Sequence, residues 1–252
     1  MLVTIAHYIT LSSAVGISLS PRMKTLITQS NYIPWRGWFA LARAVDVVVL
    51  YDSAQFTKRD WRNRNLIHSG EKLTWLTIPV ETKGRFHQKI FEVQTSDSNW
   101  PQSHLSHIRN AARRYHSSPD LVREIEALYQ SVSHWTNLSQ INRHIISWCF
   151  EKLKIDTKLL DDRDFEISGN PSERLARIAH EVGAATYVTG TAAREYLDEN
   201  EFFVRNINIE WVDYSKLPSD PSLPEGAPEV SIIDTLLRCD EACCIQLSTF
   251  SE

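Results

Sequence analysis

The chain has 252 residues, of which 42% are apolar and 23% charged, with a formal net charge of −4 at pH 7. A chain of this length can bury a substantial core without disulfides or structural metal, and its ordinary balance of apolar and charged residues excludes disordered and fibrous classes. The slight acidic excess argues against a general nucleic-acid binder, which carries a surplus of basic residues, but it leaves room for a local basic patch.

Residues 1–22 are mildly apolar, with no Lys or Arg before the apolar run, so they imitate a signal peptide poorly. Ser, Thr and His interrupt them too often for a membrane span. Met23, the other methionine, stands directly before Lys24-Thr25-Leu26-Ile27. We therefore read 1–22 as a non-native extension and 23–252 as one α/β domain, with no membrane span and a cytoplasmic location.

Thr25–Thr28 reads as a first strand ending in polar Gln29-Ser30-Asn31. Pro34 fits the first turn of a helix, where its missing N–H is harmless. Trp38, Leu41, Ala42 and Val45 recur at helical spacing over 35–45. Val47–Tyr51 is an unbroken apolar run, as in a strand covered on both faces. Strand, helix and strand make a βαβ unit.

Leu73–Val80 reads as a strand near a sheet edge, because Pro79 interrupts it. Residues 100–153 read as mainly helical, with apolar stripes at Leu121, Ile125 and Leu128 and at Ile141, Ile145, Trp148 and Cys149. Thr157–Leu160 is a short strand. Asn170-Pro171-Ser172-Glu173 opens a helix running to about Val182. A strand over Ala185–Val188 ends at Gly190, a short helix follows to about Leu197, and Ile207–Val212 is another strand. The proline-rich stretch 215–229 is a loop, and Val230–Cys244 is a final helix. The whole predicts a layered α/β fold with a mostly parallel sheet, a βαβ start and a helical middle section.

In such sheets ligands sit at the carboxyl ends of strands, near a topological switch point. That rule selects 29–32, 52–55 and 190–194. At Gln29–Gly37 a strand end meets a helix start, where free N–H groups and the helix dipole favour an anion. A simple capped turn would read the same way. Gly37 would let this helix approach another backbone.

Asp52 ends an apolar strand, where a carboxylate can orient a hydroxyl or act as a base. It is the candidate catalytic residue. Lys58, Arg59, Arg62 and Arg64 follow, and arginine forks suit phosphate or carboxylate oxygens. Gln55, Asn63 and Asn65 add amides, although a solvated basic loop is the plainer reading. The proposed binding set is Gln29, Asn31, Tyr32, Gln55, Lys58, Arg59, Arg62, Asn63 and Arg64. His104 and His107, near Trp100, are a third candidate, but single histidines are usually packed or surface residues.

Eight tryptophans would serve as core filler, with room for one or two to line a ligand cleft. No Walker loop, three-glycine dinucleotide pattern, H-E-x-x-H or G-x-S-x-G motif is present, which gives zincin and serine-hydrolase readings little support and leaves any cofactor unknown. Cys149, Cys239, Cys243 and Cys244 form no C-x-x-C pair. They read as reduced thiols with neither bound zinc nor a structural disulfide, and the helical reading puts Cys239 and Cys243 on one face.

The run Ile27-Thr28-Gln29-Ser30-Asn31-Tyr32-Ile33-Pro34-Trp35-Arg36-Gly37-Trp38-Phe39 resembles the WbqC-like family. So do Ala44-Val45-Asp46, Tyr51-Asp52, Gln55-Phe56, Lys58-Arg59, Trp61-Arg62-Asn63-Arg64-Asn65 and Trp75-Leu76-Thr77-Ile78-Pro79-Val80. Later pieces are Ser172-Glu173-Arg174-Leu175, Tyr187-Val188-Thr189-Gly190, Tyr196-Leu197-Asp198 and Ser231-Ile232-Ile233-Asp234. Ser30 departs from the proline usual in that family after the glutamine. The resemblance implies a cytoplasmic role in surface-polysaccharide (O-antigen-type) or related sugar biosynthesis. The implied protein is a transferase acting on a sugar or nucleotide-linked sugar, or else a non-catalytic ligand-binding or scaffold protein of the same pathway. Its partner would be a sugar or phosphorylated small molecule. The resemblance carries no catalytic residue.

Overall fold

Val47–Leu50 is buried at every position, as a strand packed on both faces must be. In the computed structural model, which describes residues 23–69, 72–166, 168–223 and 227–251, this strand lies inside a parallel sheet. The expectation for 1–22 falls outside the described residues.

The first elements in chain order are β1 (Lys24–Thr28), α1 (Arg36–Arg43), β2 (Val47–Leu50), β3 (Arg64–Ser69) and β4 (Lys72–Thr77). Three helices follow: α2 (Trp100–Tyr115), α3 (Pro119–Ser131) and α4 (Leu138–Lys152). Then come β5 (Lys158–Asp161), α5 (Pro171–Glu181), β6 (Thr186–Gly190), α6 (Asn200–Phe203), β7 (Asn208–Val212), α7 (Ile232–Arg238) and α8 (Glu241–Leu247). The sheet order is β5-β2-β1-β6-β7, and every pairing is parallel. The chain leaves β1 toward one edge and returns to the other side at β6. The switch point therefore lies between the carboxyl ends of β1 and β6.

Alternate side chains leave the sheet on opposite faces. Leu26, Val48 and Leu50 join the larger core with α1, α2, α4 and α7. Ile27, Val47 and Val49 join a smaller one with Ala176, Ile178 and Ala179 of α5 and with Phe202. The result is a sheet between two layers. Among the described residues no helix is long and apolar enough to cross a membrane.

Several local expectations change. The antiparallel pair β3–β4 forms its own two-stranded sheet, so part of the predicted 52–65 loop is strand, and Pro79 lies beyond β4. Pro34 stands outside α1, whose N-cap is Trp35. There the backbone is extended, because Pro34 O accepts the Ile232 N–H at 2.8 Å. At Gly37 the nearest group is a side chain and not a backbone: a Cβ there would fall on the ring of Trp35.

The stretch after Gly190 is a 3-10 turn followed by α6. The predicted final helix is two helices. Cys239 is extended, and Asp240 caps α8 by accepting the Cys243 N–H at 2.8 Å. Cys239 consequently meets Cys244, with sulfurs 2.6 Å apart, instead of sharing a helix face with Cys243.

Candidate functional site

The carboxyl end of β1 runs into a strained turn. Ile33 has φ 40°, a left-handed conformation that β-branched residues rarely adopt and that costs ~1–3 kcal/mol. Asn65 of β3 holds it there: its Nδ2 donates to Ile33 O at 2.8 Å and to Tyr32 O at 3.3 Å. The turn presents Asn31, Pro34 and Trp35 to one side. Trp61, Asn65 and Glu229 complete a cavity of about 250 Å³ with them.

Each wall has its own support. Trp61 is held by its carbonyl, which accepts the Tyr32 N–H at 3.0 Å. Trp35 packs against Tyr214, with centroids 5.4 Å apart, and Tyr214 in turn lies against Gly190 at the end of β6. Glu229 comes from the far end of the chain, and Arg36 anchors it. The buried guanidinium donates to both Glu229 oxygens, at 3.3 and 3.0 Å, and to Pro218 O and Leu247 O.

The structure divides the predicted residues. Asn31 lines the cavity, and its Oδ1 accepts from Arg62 Nη1. Arg62 also lies 3.5 Å from the Asp60 carboxylate. Burial lowers the Arg62 pKa, against the carboxylates of Asp60 and Asp52, which raise it. Gln29 is half-buried and makes no side-chain hydrogen bond among the described residues.

Three predicted residues face the interior instead. Tyr32 is fully buried and contacts His104 and Tyr129. Asn63 is buried and donates to Ile78 O at 2.8 Å. Asp52 is only 1% exposed. It accepts the Ser30 N–H at 2.9 Å and the Ser139 hydroxyl, tying β1 and α4 to the end of β2. Burial pushes its carboxyl above the ordinary range, although both hydrogen bonds favour the charged form. A carboxylate so enclosed does not reach the cavity.

The remaining predicted residues lie along the outer loop. Arg64 stacks its guanidinium 4.2 Å from the Trp75 ring centre and donates to Arg59 O. Gln55 donates to Phe86 O at 2.8 Å, and the Lys58 ammonium stands 5.7 Å from the Phe86 ring centre. Arg59 is exposed, with φ 61°.

His104 is a packed residue. Its Nδ1 meets the Tyr32 hydroxyl at 2.7 Å and its Nε2 meets Thr77 O at 3.1 Å. His107 turns to Ser69 instead. No group of three or more His, Cys, Asp or Glu among the described residues could hold a metal.

Trp35 and Trp61 fall inside the two candidate segments but outside the predicted binding set, and Glu229 falls outside both. The tryptophans lay within the recognised motif and the high tryptophan count. Glu229 had no signal beyond a proline-rich loop. A larger groove of about 470 Å³ lies between the end of α2, the start of α3 and the α7–α8 junction. No sheet strand end lines it, and its charges are mixed, so the smaller cavity is the better candidate.

A search of curated proteins finds an uncharacterized protein of Mycobacterium tuberculosis (strain ATCC 25618 / H37Rv), Rv1507c. It is 41% identical over 219 residues, covering 85% of this chain and 93% of that protein. No solved structure matches significantly. The model of the WbqC-like protein family matches residues 29–244, a span that includes every wall of the cavity, and the chain belongs to that family.

Proposed function

We propose that the chain takes a sugar, free or nucleotide-linked, into the cavity walled by Trp35 and Trp61, as a transferase of surface-polysaccharide assembly in the cytoplasm. The observation that carries this reading is the cavity itself. It pairs indoles with an amide and a carboxylate at the carboxyl edge of a parallel sheet. Indole faces suit the C–H faces of a sugar ring, and Asn31 and Glu229 offer polar partners for its hydroxyls. Any proton acceptor for a sugar hydroxyl must reach the cavity. Glu229 does so and Asp52 does not, so the base role moves from Asp52 to Glu229.

A second reading is a non-catalytic binder of the same pathway. One feature favours it: both Glu229 oxygens already accept from Arg36.

Thermal unfolding in the presence of hexoses and nucleotide-linked hexoses tests binding, since a ligand held only by the folded state raises the melting temperature. The expected result is a rise in the native chain that is lost in Trp61→Ala. No rise with any of these sugars would overturn the reading. Glu229→Gln then separates the two roles. A transferase loses turnover but keeps binding, whereas a binder shows no turnover to lose.

A further inference from the structure

The cavity, at about 250 Å³, is smaller than the ~300–1,000 Å³ that encloses most drug-sized ligands. It has room for one ring, so the rest of a longer ligand would lie on its rim. The rim on the β3–β4 side is unusual. Trp61 is 44% and Trp75 43% exposed. Their rings lie 5.5 Å apart at 39°, forming an open aromatic step that begins at the cavity wall.

Arg64 lies on this step, and the loop that carries Trp61 holds two more cations. Arg64 covers part of Trp75, and its buried Nε has no hydrogen-bond partner. Arg59 supplies the carbonyl that holds Arg64, at 2.5 Å, and its own side chain is exposed. Lys58 is the next exposed cation along the loop. None of these three forms an ion pair among the described residues, whereas Arg62 in the same loop is matched by Asp60. Exposed indoles therefore stand beside the unneutralised Arg64, and the loop that carries Trp61 holds two further exposed cations. A neutral glycan would use the rings and leave the charges idle. A free phosphate would do the reverse.

We propose that this rim is a subsite for a nucleoside diphosphate, with the base stacked on Trp61 and Trp75 and the phosphates held by Arg64 and Arg59. The proposal deepens the sugar-binding reading and rests on it. The sugar of a nucleotide-linked ligand would enter the cavity while its nucleotide stays on the step. Stacking on an aromatic side chain tolerates different bases, because each presents a π face. The phosphates confer salt dependence, since exposed charges are screened.

Isothermal titration of the full chain with UDP, GDP and ADP tests this, with inorganic pyrophosphate and a free hexose as controls. The diphosphates are expected to bind more tightly than pyrophosphate and to weaken with added salt. Their affinity should fall about tenfold or more in Trp75→Ala and in Arg64→Gln, where tenfold corresponds to ~1.4 kcal/mol. Arg59→Asn keeps a residue that tolerates the left-handed backbone, so it serves as a further variant if either of the others misfolds. Neither Trp75 nor Arg64 lines the cavity, so binding of the free hexose should survive both substitutions.

Failure of all three diphosphates to bind would overturn the subsite. So would unchanged affinity in the folded variants, or equal affinity for pyrophosphate. Hexose binding alongside any of these results would leave the cavity reading standing. Loss of hexose binding in the native chain would remove that reading instead.

Discussion

Lowering the pH should destabilise the protein through His104, starting above the range where ordinary carboxylates titrate. This imidazole is 3% exposed. Its neutral form fits a directed relay. Nε2 must donate to Thr77 O, so Nδ1 accepts from the Tyr32 hydroxyl, whose oxygen accepts in turn from Tyr129. Burial lowers its pKa from 6.5 to about 4, and nearby His107 adds to this, against the Thr77 bond that favours the cation.

The unfolded chain therefore binds more protons than the folded one between pH 6.5 and about 4, and stability must fall as pH drops through that window. At ~1.36 kcal/mol per pH unit the full loss is ~3 kcal/mol. Urea unfolding at pH 7.0 and 4.5 measures it, with His104→Gln as the non-titrating reference, because carboxylates shared by both proteins cancel in the difference. The native chain should lose ~2–3 kcal/mol more than the variant. Equal losses, or a larger loss in the variant, would refute a neutral buried His104.

Other perturbations probe the chain's late segment and the supports of the site. Arg238 is buried between Asp234 and Asp220, at 2.7 and 2.8 Å. Arg238→Met leaves two buried carboxylates without their cation and should cost ~3–5 kcal/mol by urea unfolding; a cost under 1 kcal/mol would contradict this. Asn65→Leu strips the Ile33 turn of its amide bonds and should cost ~1–3 kcal/mol while abolishing sugar-induced thermal shifts; retained shifts would show that the turn forms without it. Gly37→Ala should displace the Trp35 ring and weaken sugar binding, because the new Cβ would fall on that ring; unchanged binding would mean that Trp35 is not a working wall. With a low-molecular-weight disulfide as oxidant, the Cys239–Cys244 contact should be the first to close, which peptide mapping would reveal; a bond to Cys149 would count against it.

The parts of the fold legible in the sequence are those decided locally. Val47–Leu50 is apolar at each position, so its place inside a parallel sheet follows from composition alone. Asn170 and Pro171 open α5 as their chemistry requires, with Asn170 accepting the Glu173 N–H at 2.9 Å. β3 was not legible. Its sequence, Arg-Asn-Leu-Ile-His-Ser, has too few apolar positions to show alternation, and Asn65 is buried only because the Ile33 turn receives its amide. The position of Asp52 at a strand end was readable, but its direction was not. That direction depends on Ser139, 87 residues away.

The same distinction explains where the cavity came from. A strained turn at Ile33 is stable only while Asn65 satisfies two carbonyls, and β3 is placed in part by Ser231, whose N–H donates to Leu66 O at 2.9 Å. Ser231 lies two residues beyond Glu229, which Arg36 fixes at the start of α1. The turn, the β3–β4 pair and the chain's late segment therefore constrain one another around a single opening. Strain of this kind persists only where the surroundings over-determine it. Here those surroundings are the supports of the cavity walls, so loosening any one of them should disturb ligand binding before it unfolds the sheet, whose central strands β1, β2 and β6 also pack into the smaller core, which contains no residue of the Ile33 turn.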